Sequence, residues 1–345
     1  MSPVVPPSAE VAAQARHWVD SLAKPVGALG RLEDVGIWLA ACQGCCPPEP
    51  LRDIRVVVFA GDHGVAAHGV SAYPSAVTAA MVRLFHTGRA GVAVLARQHG
   101  VRLRVLDIAV DDDLVGLPAD VGAHKIRRSS EPIHLSDALT VAQVRAAVGA
   151  GRAVAEQECG SGAQLLISGD MGIGNTTPSA ALIAAMLGLP AEDVTGRGTG
   201  IDGAALAHKR DLIAQALSRM GDRRAAPLDP VDLLAGLGSA DIAASAGFMA
   251  RSADLGVPVL LDGVVSVAAA MVADLLAPGA ARWFAAGHRS TEPVQSAALA
   301  KLGLEPLLDL GMRLGEGSGA VAAVPLVRSA VLILREMAQL ADVVG

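Results

Sequence analysis

A chain of 345 residues is long enough for one large α/β domain, alone or with a small companion. Hydrophobic residues make up 52% but aromatic ones only 2%, so the core is built from Ala, Val, Leu and Ile, with 38 glycines for turns and close packing. A net charge of −6, no basic run and one Tyr, four Phe and three Trp for stacking exclude nucleic acid as a partner, and a soluble globular protein is expected.

Residues 1–7 lack the basic-then-apolar order of a signal peptide, so a cytoplasmic protein is expected. An amphipathic helix over 8–22 stops before Lys24-Pro25. The segment Val26-Gly27-Ala28-Leu29-Gly30-Arg31-Leu32-Glu33 then turns into a second helix. Cys42, Cys45, Cys46 and Cys159 lack the second pair or nearby histidine of a metal or redox site, and read as incidental thiols. Cys46-Pro47-Pro48-Glu49-Pro50 marks a first boundary. A strand over 54–59 runs into Ala60-Gly61-Asp62-His63-Gly64-Val65. Helices over 75–86 and 89–99 precede a second strand over 101–109. Residues 110–136 are polar and irregular, a surface excursion, and a helix over 137–158 returns to a strand over 164–168.

The turn after this third strand organises the chain. The apolar run Leu165-Leu166-Ile167-Ser168 breaks into Gly169-Asp170-Met171-Gly172-Ile173-Gly174-Asn175-Thr176-Thr177-Pro178, with Thr177 as N-cap and Pro178 at the first helical position. Its glycines let the backbone approach a ligand, and the free N–H groups of the next helix suit an anion, phosphate above all. An ordinary tight turn is the alternative. The spacing matches neither the dinucleotide fingerprint nor the Walker pattern, and no cofactor or metal is expected.

A second glycine-rich turn spans 195–202, with helices over 203–219, 230–237 and 239–252. The apolar stretch 257–277 contains Asp262, Gly263 and Asp274, which fits a buried strand and a packed helix better than a bilayer span. A strand over 282–286 leads to Gly287-His288-Arg289-Ser290-Thr291-Glu292-Pro293 and a helix to residue 302. A glycine loop over 311–319 precedes a long apolar helix over 320–340.

Alternating apolar strands and helices predict a parallel sheet covered on both faces. Asp62-His63, Asp170, Asp262 and His288 all come just after strands, so they gather at one edge, where open α/β sheets bind ligands. Each has a plainer reading. Asp62 and His63 could cap a loop, His288 could be a satisfied turn histidine, and Lys209 could face solvent. Glu316 sits among Gly315, Gly317 and Gly319 between apolar segments, a close-fitting setting in which a carboxyl pKa rises.

Six segments carry a resemblance: Lys24 to Glu33, Ala60 to Val65, Gly169 to Pro178, Leu261-Asp262-Gly263, Gly287 to Glu292, and Leu310 to Ala320. Together, and in this order, they resemble the nicotinate-nucleotide–dimethylbenzimidazole phosphoribosyltransferases from about residue 20 to the C-terminus. That resemblance implies transfer of 5-phosphoribose from nicotinate mononucleotide to 5,6-dimethylbenzimidazole. The products would be nicotinate and α-ribazole 5′-phosphate, in cobalamin biosynthesis.

It implies Glu316 as general base and Asp170 as a second carboxylate. Gly172, Gly174, Asn175, Thr176, Lys209 and Ser290 would hold the phosphoribosyl group. Tyr73, Pro74, Met81 and Leu314 would line the base pocket, with Met171, Asp262 and His288 also in the site. Some members have Glu in place of Asp170, Ser in place of Tyr73 and Gln in place of Met81, so this pocket is more apolar at one end. The implied architecture is a Rossmann-like domain over 51–317 with a small helical domain from 1–50 and 318–345. The implied state is a homodimer, with small molecules and neither nucleic acid nor membrane as partners. A nucleoside-phosphorylase-like enzyme and a non-catalytic nucleotide or ribazole binder are the alternatives.

Overall fold

Strands Ile54–Gly61 (β1), Val101–Ala109 (β2), Leu165–Met171 (β3), Val259–Leu261 (β4), Phe284–His288 (β5) and Pro306–Leu308 (β6) pair in parallel into one sheet, in the order β2-β1-β3-β4-β5-β6. This computed structural model describes residues 3–344. Met1, Ser2 and Gly345, at the outer ends of the expected helical domain, lie outside the described residues. The helices are Ala9–Asp20 (α1), Arg31–Gln43 (α2), Ala76–His86 (α3), Gly91–Gln98 (α4), Val141–Gly160 (α5), Thr176–Leu187 (α6) and Ala191–Val194 (α7). They continue with Gly203–Met220 (α8), Pro230–Leu237 (α9), Ala240–Asp254 (α10), Val264–Leu276 (α11), Val294–Leu302 (α12), Ser318–Glu336 (α13) and Leu340–Val344 (α14).

The two-residue period of β1 divides the interior. Val57 and Phe59 face one core with α5, α6, α10 and α11, while Val56 and Val58 face the other with α3, α4 and α13. Every residue of β1 and β3 is buried, as expected for a sheet covered on both sides. The α/β class read from the sequence, a Rossmann-like parallel sheet flanked by helices, is the observed one. A third, small core joins Ala15 and Val19 of α1, Ile37 and Ala40 of α2, and Leu334 of α13.

Where few aromatics fill space, glycine permits helices to touch. A Cβ at Gly151 of α5 would stand 1.8 Å from the carbonyl oxygen of Ala244 of α10, and one at Gly247 would stand 2.2 Å from that of Val148.

Several boundaries differ from expectation. β3 continues through Met171, so Asp170 lies in the strand rather than in the turn. α6 begins at Thr176 with Asn175 as its N-cap residue, not Thr177. Pro178 is then the third helical residue, where a missing N–H loses no helical bond. The helix expected over 137–158 starts at Val141 because Thr140 and Gln143 form a reciprocal capping box. His288 belongs to β5, which begins at Phe284 rather than 282.

β6 has three half-buried residues and starts with Pro306, too short to register as a pattern and tolerable only at an edge. The long final helix stops at Glu336, and α14 comes after a break. α13 is long and apolar enough to cross a bilayer by length and composition, but packs over β5 and β3 with most of its apolar face in the core.

β1 has neighbours on both sides, β2 and β3, so the chain leaves it in one direction and later returns on the other. The crevice where such a sheet reverses order lies beyond the carboxyl ends of β1 and β3. That is where Asp62, His63 and Asp170 fall.

Candidate active site

A cavity of about 480 Å³ opens beyond the carboxyl ends of β3, β4 and β5. It is within the usual size of a small-molecule site. Of the residues named from the sequence, Tyr73, Asp170, Met171, Gly172, Gly174, Asn175, Thr176, Asp262, His288, Ser290, Leu314 and Glu316 line it. Three do not. Pro74 is exposed beside Tyr73, Met81 packs against the second core, and Lys209 is wholly buried.

Glu316 is built into the wall by its own backbone. It adopts φ 64°, between Gly315 at φ 79° and Gly317 at φ 89°. A left-handed glutamate is uncommon and strained, and persists where its surroundings over-determine it. They do so here. The Glu316 N–H donates to the Asp170 carbonyl at 3.3 Å. A Cβ on Gly169 would stand 2.3 Å from the Glu316 carbonyl oxygen, so only glycine on β3 lets the loop lie this close.

The Glu316 side chain is 3% exposed, and Oε2 accepts from the Val92 backbone N–H at 3.2 Å, in the first turn of α4. Among the described residues no donor reaches Oε1. Burial pushes the carboxyl up to about 7, against the opposing Val92 bond. A group poised there gives up or takes a proton readily near neutral pH.

Asp262 secures the same loop from β4. Its Oδ2 accepts from the Gly317 N–H and its Oδ1 from the Ala320 N–H, both at 3.0 Å, satisfying the start of α13. His288 of β5 lies 3.3 Å from Asp262 Oδ1. Burial works against both charges, but each partner offsets it, so Asp262 is held below the usual carboxylate range and His288 is raised. Gly319 packs so closely that its Cβ would stand 2.0 Å from the imidazole. Asp262 and His288 therefore brace the Glu316 loop.

On the other wall, Asp170 Oδ1 accepts from the Asn175 side-chain amide at 2.7 Å, closing the turn before α6. The N-terminus of α6 opens into the cavity at Thr176, a ready site for phosphate. Lys209 stands behind it. Its Nζ donates to Thr176 Oγ1 at 2.8 Å and to the Gly196 carbonyl at 2.9 Å, and burial lowers its pKa to about 8. Lysine meets the cavity through Thr176, not directly.

Sequence reasoning missed Glu292, whose Oε1 accepts from the Gly198 N–H at 2.7 Å and fixes the second glycine turn against the cavity. It also missed Arg313, which donates to the Gly198 carbonyl at 3.0 Å across the mouth. Thr199 accepts from the Ala72 N–H at 2.8 Å and so joins that turn to the Tyr73 loop. Each lay within a segment already marked as unusual, so proximity in sequence was the available signal. Asp62 does not reach the cavity. Its Oδ2 accepts from the Asp111 N–H at 2.8 Å and braces the excursion after β2.

A doubly wound sheet whose switch-point edge offers a helix N-terminus for an anion and the buried, raised carboxyl of Glu316 defines an α/β enzyme that handles a phosphorylated small molecule. A phosphoribosyltransferase family model matches residues 4–344. The nicotinate-nucleotide–dimethylbenzimidazole phosphoribosyltransferase of Mycolicibacterium paratuberculosis is 54% identical over 98% of this chain and 96% of its own length. The enzyme of that name from Mycobacterium tuberculosis is 52% identical over 98% of this chain and 92% of its own. The crystal structure of CobT from Thermus thermophilus superposes with a TM-score of 0.90 at 43% identity, covering 97% of this chain and 98% of that one. The chain belongs to the nicotinate-nucleotide–dimethylbenzimidazole phosphoribosyltransferase family, and is an enzyme of the pentosyltransferase class.

Proposed function

We infer that the chain transfers 5-phosphoribose from nicotinate mononucleotide to 5,6-dimethylbenzimidazole, releasing nicotinate and forming α-ribazole 5′-phosphate for cobalamin biosynthesis. The observation that carries this reading is Glu316, a buried carboxyl pushed up to about 7, facing an anion-binding turn across one cavity.

Glu316 takes the proton from one benzimidazole nitrogen while the other nitrogen bonds to C1′ of the ribose. The glycosidic bond to nicotinate breaks, and its electron pair neutralises the pyridinium. The leaving group therefore needs no acid, and one base with good orientation suffices. Attack opposite the departing nicotinate inverts C1′, turning a β-nucleotide into an α-riboside. The phosphate is assigned to the Gly172–Thr176 turn with Ser290 and Lys209 behind it. The base is assigned to Tyr73, Met171 and Leu314. Asp170 is assigned to holding the turn.

We further propose that segments 1–50 and 318–345 form a small helical domain beside the 51–317 domain. The small third core supports that division. The enzyme is proposed to work as a homodimer in the cytoplasm.

The test is to mix the purified protein with nicotinate mononucleotide and dimethylbenzimidazole and to follow nicotinate by chromatography, assigning the anomer of the riboside by NMR. Base-dependent release with an α-riboside product supports the reading. Release that requires free phosphate instead of the base would point to a phosphorylase, and binding without release to a carrier.

A further inference from the structure

Two loops bring apolar side chains to the cavity, one with Tyr73 and one with Leu314, and both are tied to the same dipeptide, Gly198-Thr199. Between β1 and α3 the chain leaves the core at the buried Val70 and runs exposed from Ala72 to Pro74. Tyr73 is 56% exposed, and its hydroxyl takes no hydrogen bond among the described residues, so its own contacts do not fix it. Thr199 does. Its Oγ1 accepts from the Ala72 N–H at 2.8 Å and lies 3.0 Å from Ser71 Oγ, which accepts from the Tyr73 N–H at 3.1 Å. One hydroxyl thus bridges to the other, and the pair takes the N–H groups of two consecutive loop residues.

The turn that carries Thr199 is held from three sides. Glu292 Oε1 accepts from the Gly198 N–H, Lys209 Nζ donates to the Gly196 carbonyl, and Arg313 donates to the Gly198 carbonyl. Close approach confines it further. A Cβ on Gly196 would stand 1.9 Å from Glu292 Oε2, and one on Gly198 would stand 2.8 Å from Thr176 Oγ1. Gly198 at φ 50° and Gly200 at φ 112° set the backbone on either side of Thr199, whose β-branched side chain is stiff at χ1. Oγ1 is therefore presented from a fixed turn, and the sparsely held Tyr73 loop is the partner that follows it.

We propose that Thr199 is a positioning residue for the aromatic base: it fastens the Tyr73 loop to the second glycine turn and so keeps Tyr73 in place as a wall of the cavity. The proposal rests on the assignment of Tyr73 and Leu314 to dimethylbenzimidazole. A flat base with two ring nitrogens gains its affinity from apolar walls already in position rather than from many hydrogen bonds. Thr199 touches none of the reacting atoms in this role. Loss of its hydroxyl weakens base binding and leaves the chemistry of the filled site as it was. The nucleotide, held at the turn before α6, does not depend on the loop.

The experiment compares the wild-type enzyme with Thr199→Val, which keeps the branched shape without the hydroxyl, and Thr199→Ser, which keeps the hydroxyl. Steady-state rates are measured with each substrate varied in turn. Thr199→Val is expected to raise KM for dimethylbenzimidazole about tenfold, the size of two ordinary hydrogen bonds at a half-exposed joint. Its kcat and its KM for nicotinate mononucleotide are expected to change by less than about threefold, and Thr199→Ser to match the wild type within the same margin. Tyr73 is the one tyrosine of the chain, so fluorotyrosine labelling gives a single fluorine resonance that reports the loop without substrates. That resonance is expected to narrow and move towards the free amino acid in Thr199→Val, and to keep its wild-type position in Thr199→Ser. An unmoved resonance in Thr199→Val, an equal rise in both KM values, or a Thr199→Ser enzyme as impaired as Thr199→Val overturns the proposal. If Thr199→Val does not fold, Ser71→Ala opens the same joint from the loop side and is expected to raise KM for the base alone. A wild-type enzyme that does not use the base would overturn the assignment of the pocket and the proposal with it. A working wild-type enzyme with no selective defect in Thr199→Val would overturn only the role of Thr199.

Discussion

Glu316 concentrates what the site requires of one residue: burial, a strained backbone and a proton that moves near neutrality. Its pKa of about 7 in the folded chain, against 4.5 for an ordinary glutamate, makes stability depend on pH with a definite sign. Between these values the native state holds more protons than the unfolded one, so stability falls as pH rises. The contribution is fully present below about 4.5 and lost by about 7. Thermal melts of the wild-type enzyme from pH 5 to 7.5 are expected to show this decline, and Glu316→Gln is expected to flatten it. Parallel slopes for the two proteins would place the raised carboxyl elsewhere. Lys209 illustrates a different point at this scale. A buried ammonium on Thr176 and Gly196 would strengthen the proposed anion site without lining it, which a sequence reading that allows only contact or solvent cannot express.

At the scale of elements, the site depends on how closely three strands approach the loop before α13. Gly169 of β3 and Gly287 of β5 both admit it, with a Cβ at Gly287 standing 2.7 Å from Ala320 Cα. Gly169→Ala would push backbone against backbone. It is expected to cost about 1–3 kcal/mol of stability, the usual penalty of overpacking, and to reduce turnover at least tenfold as the Glu316 loop moves. A melt and a steady-state assay on the one variant check both, and wild-type values in each would show that the loop is free to shift.

The same close approaches explain what was legible. Apolar runs ended by glycine and a polar residue announced β1 and β3 and the edge they share. The role of Asp262 and His288 as braces was not legible, because hydrogen bonds to Gly317 and Ala320 join residues more than fifty positions apart. Asp241 gave no signal at all. An aspartate in a helical first turn is ordinary until the turn after β1 places His63 3.4 Å from it.

For the whole molecule, one sheet with two apolar faces arises from the apolar runs Val56-Val57-Val58-Phe59-Ala60 in β1 and Leu165-Leu166-Ile167 in β3, and the class of fold was readable on that ground. Strand β6 was not readable, since an edge strand of three residues is defined by its neighbour β5 rather than by its own pattern. The proposed homodimer predicts a scattering mass of twice the 34.9 kDa chain at micromolar concentration, and a value for one chain would reject it.

The central claim is that Glu316 is the base in phosphoribosyl transfer, and the pH dependence of kcat/KM for dimethylbenzimidazole measures it most directly. The wild-type rate is expected to rise with pH to a plateau above about 7, with the nucleotide saturating. Glu316→Gln should be slower by about 10²–10⁴-fold and lack that rise. A mutant that keeps both the rate and the profile would contradict the account.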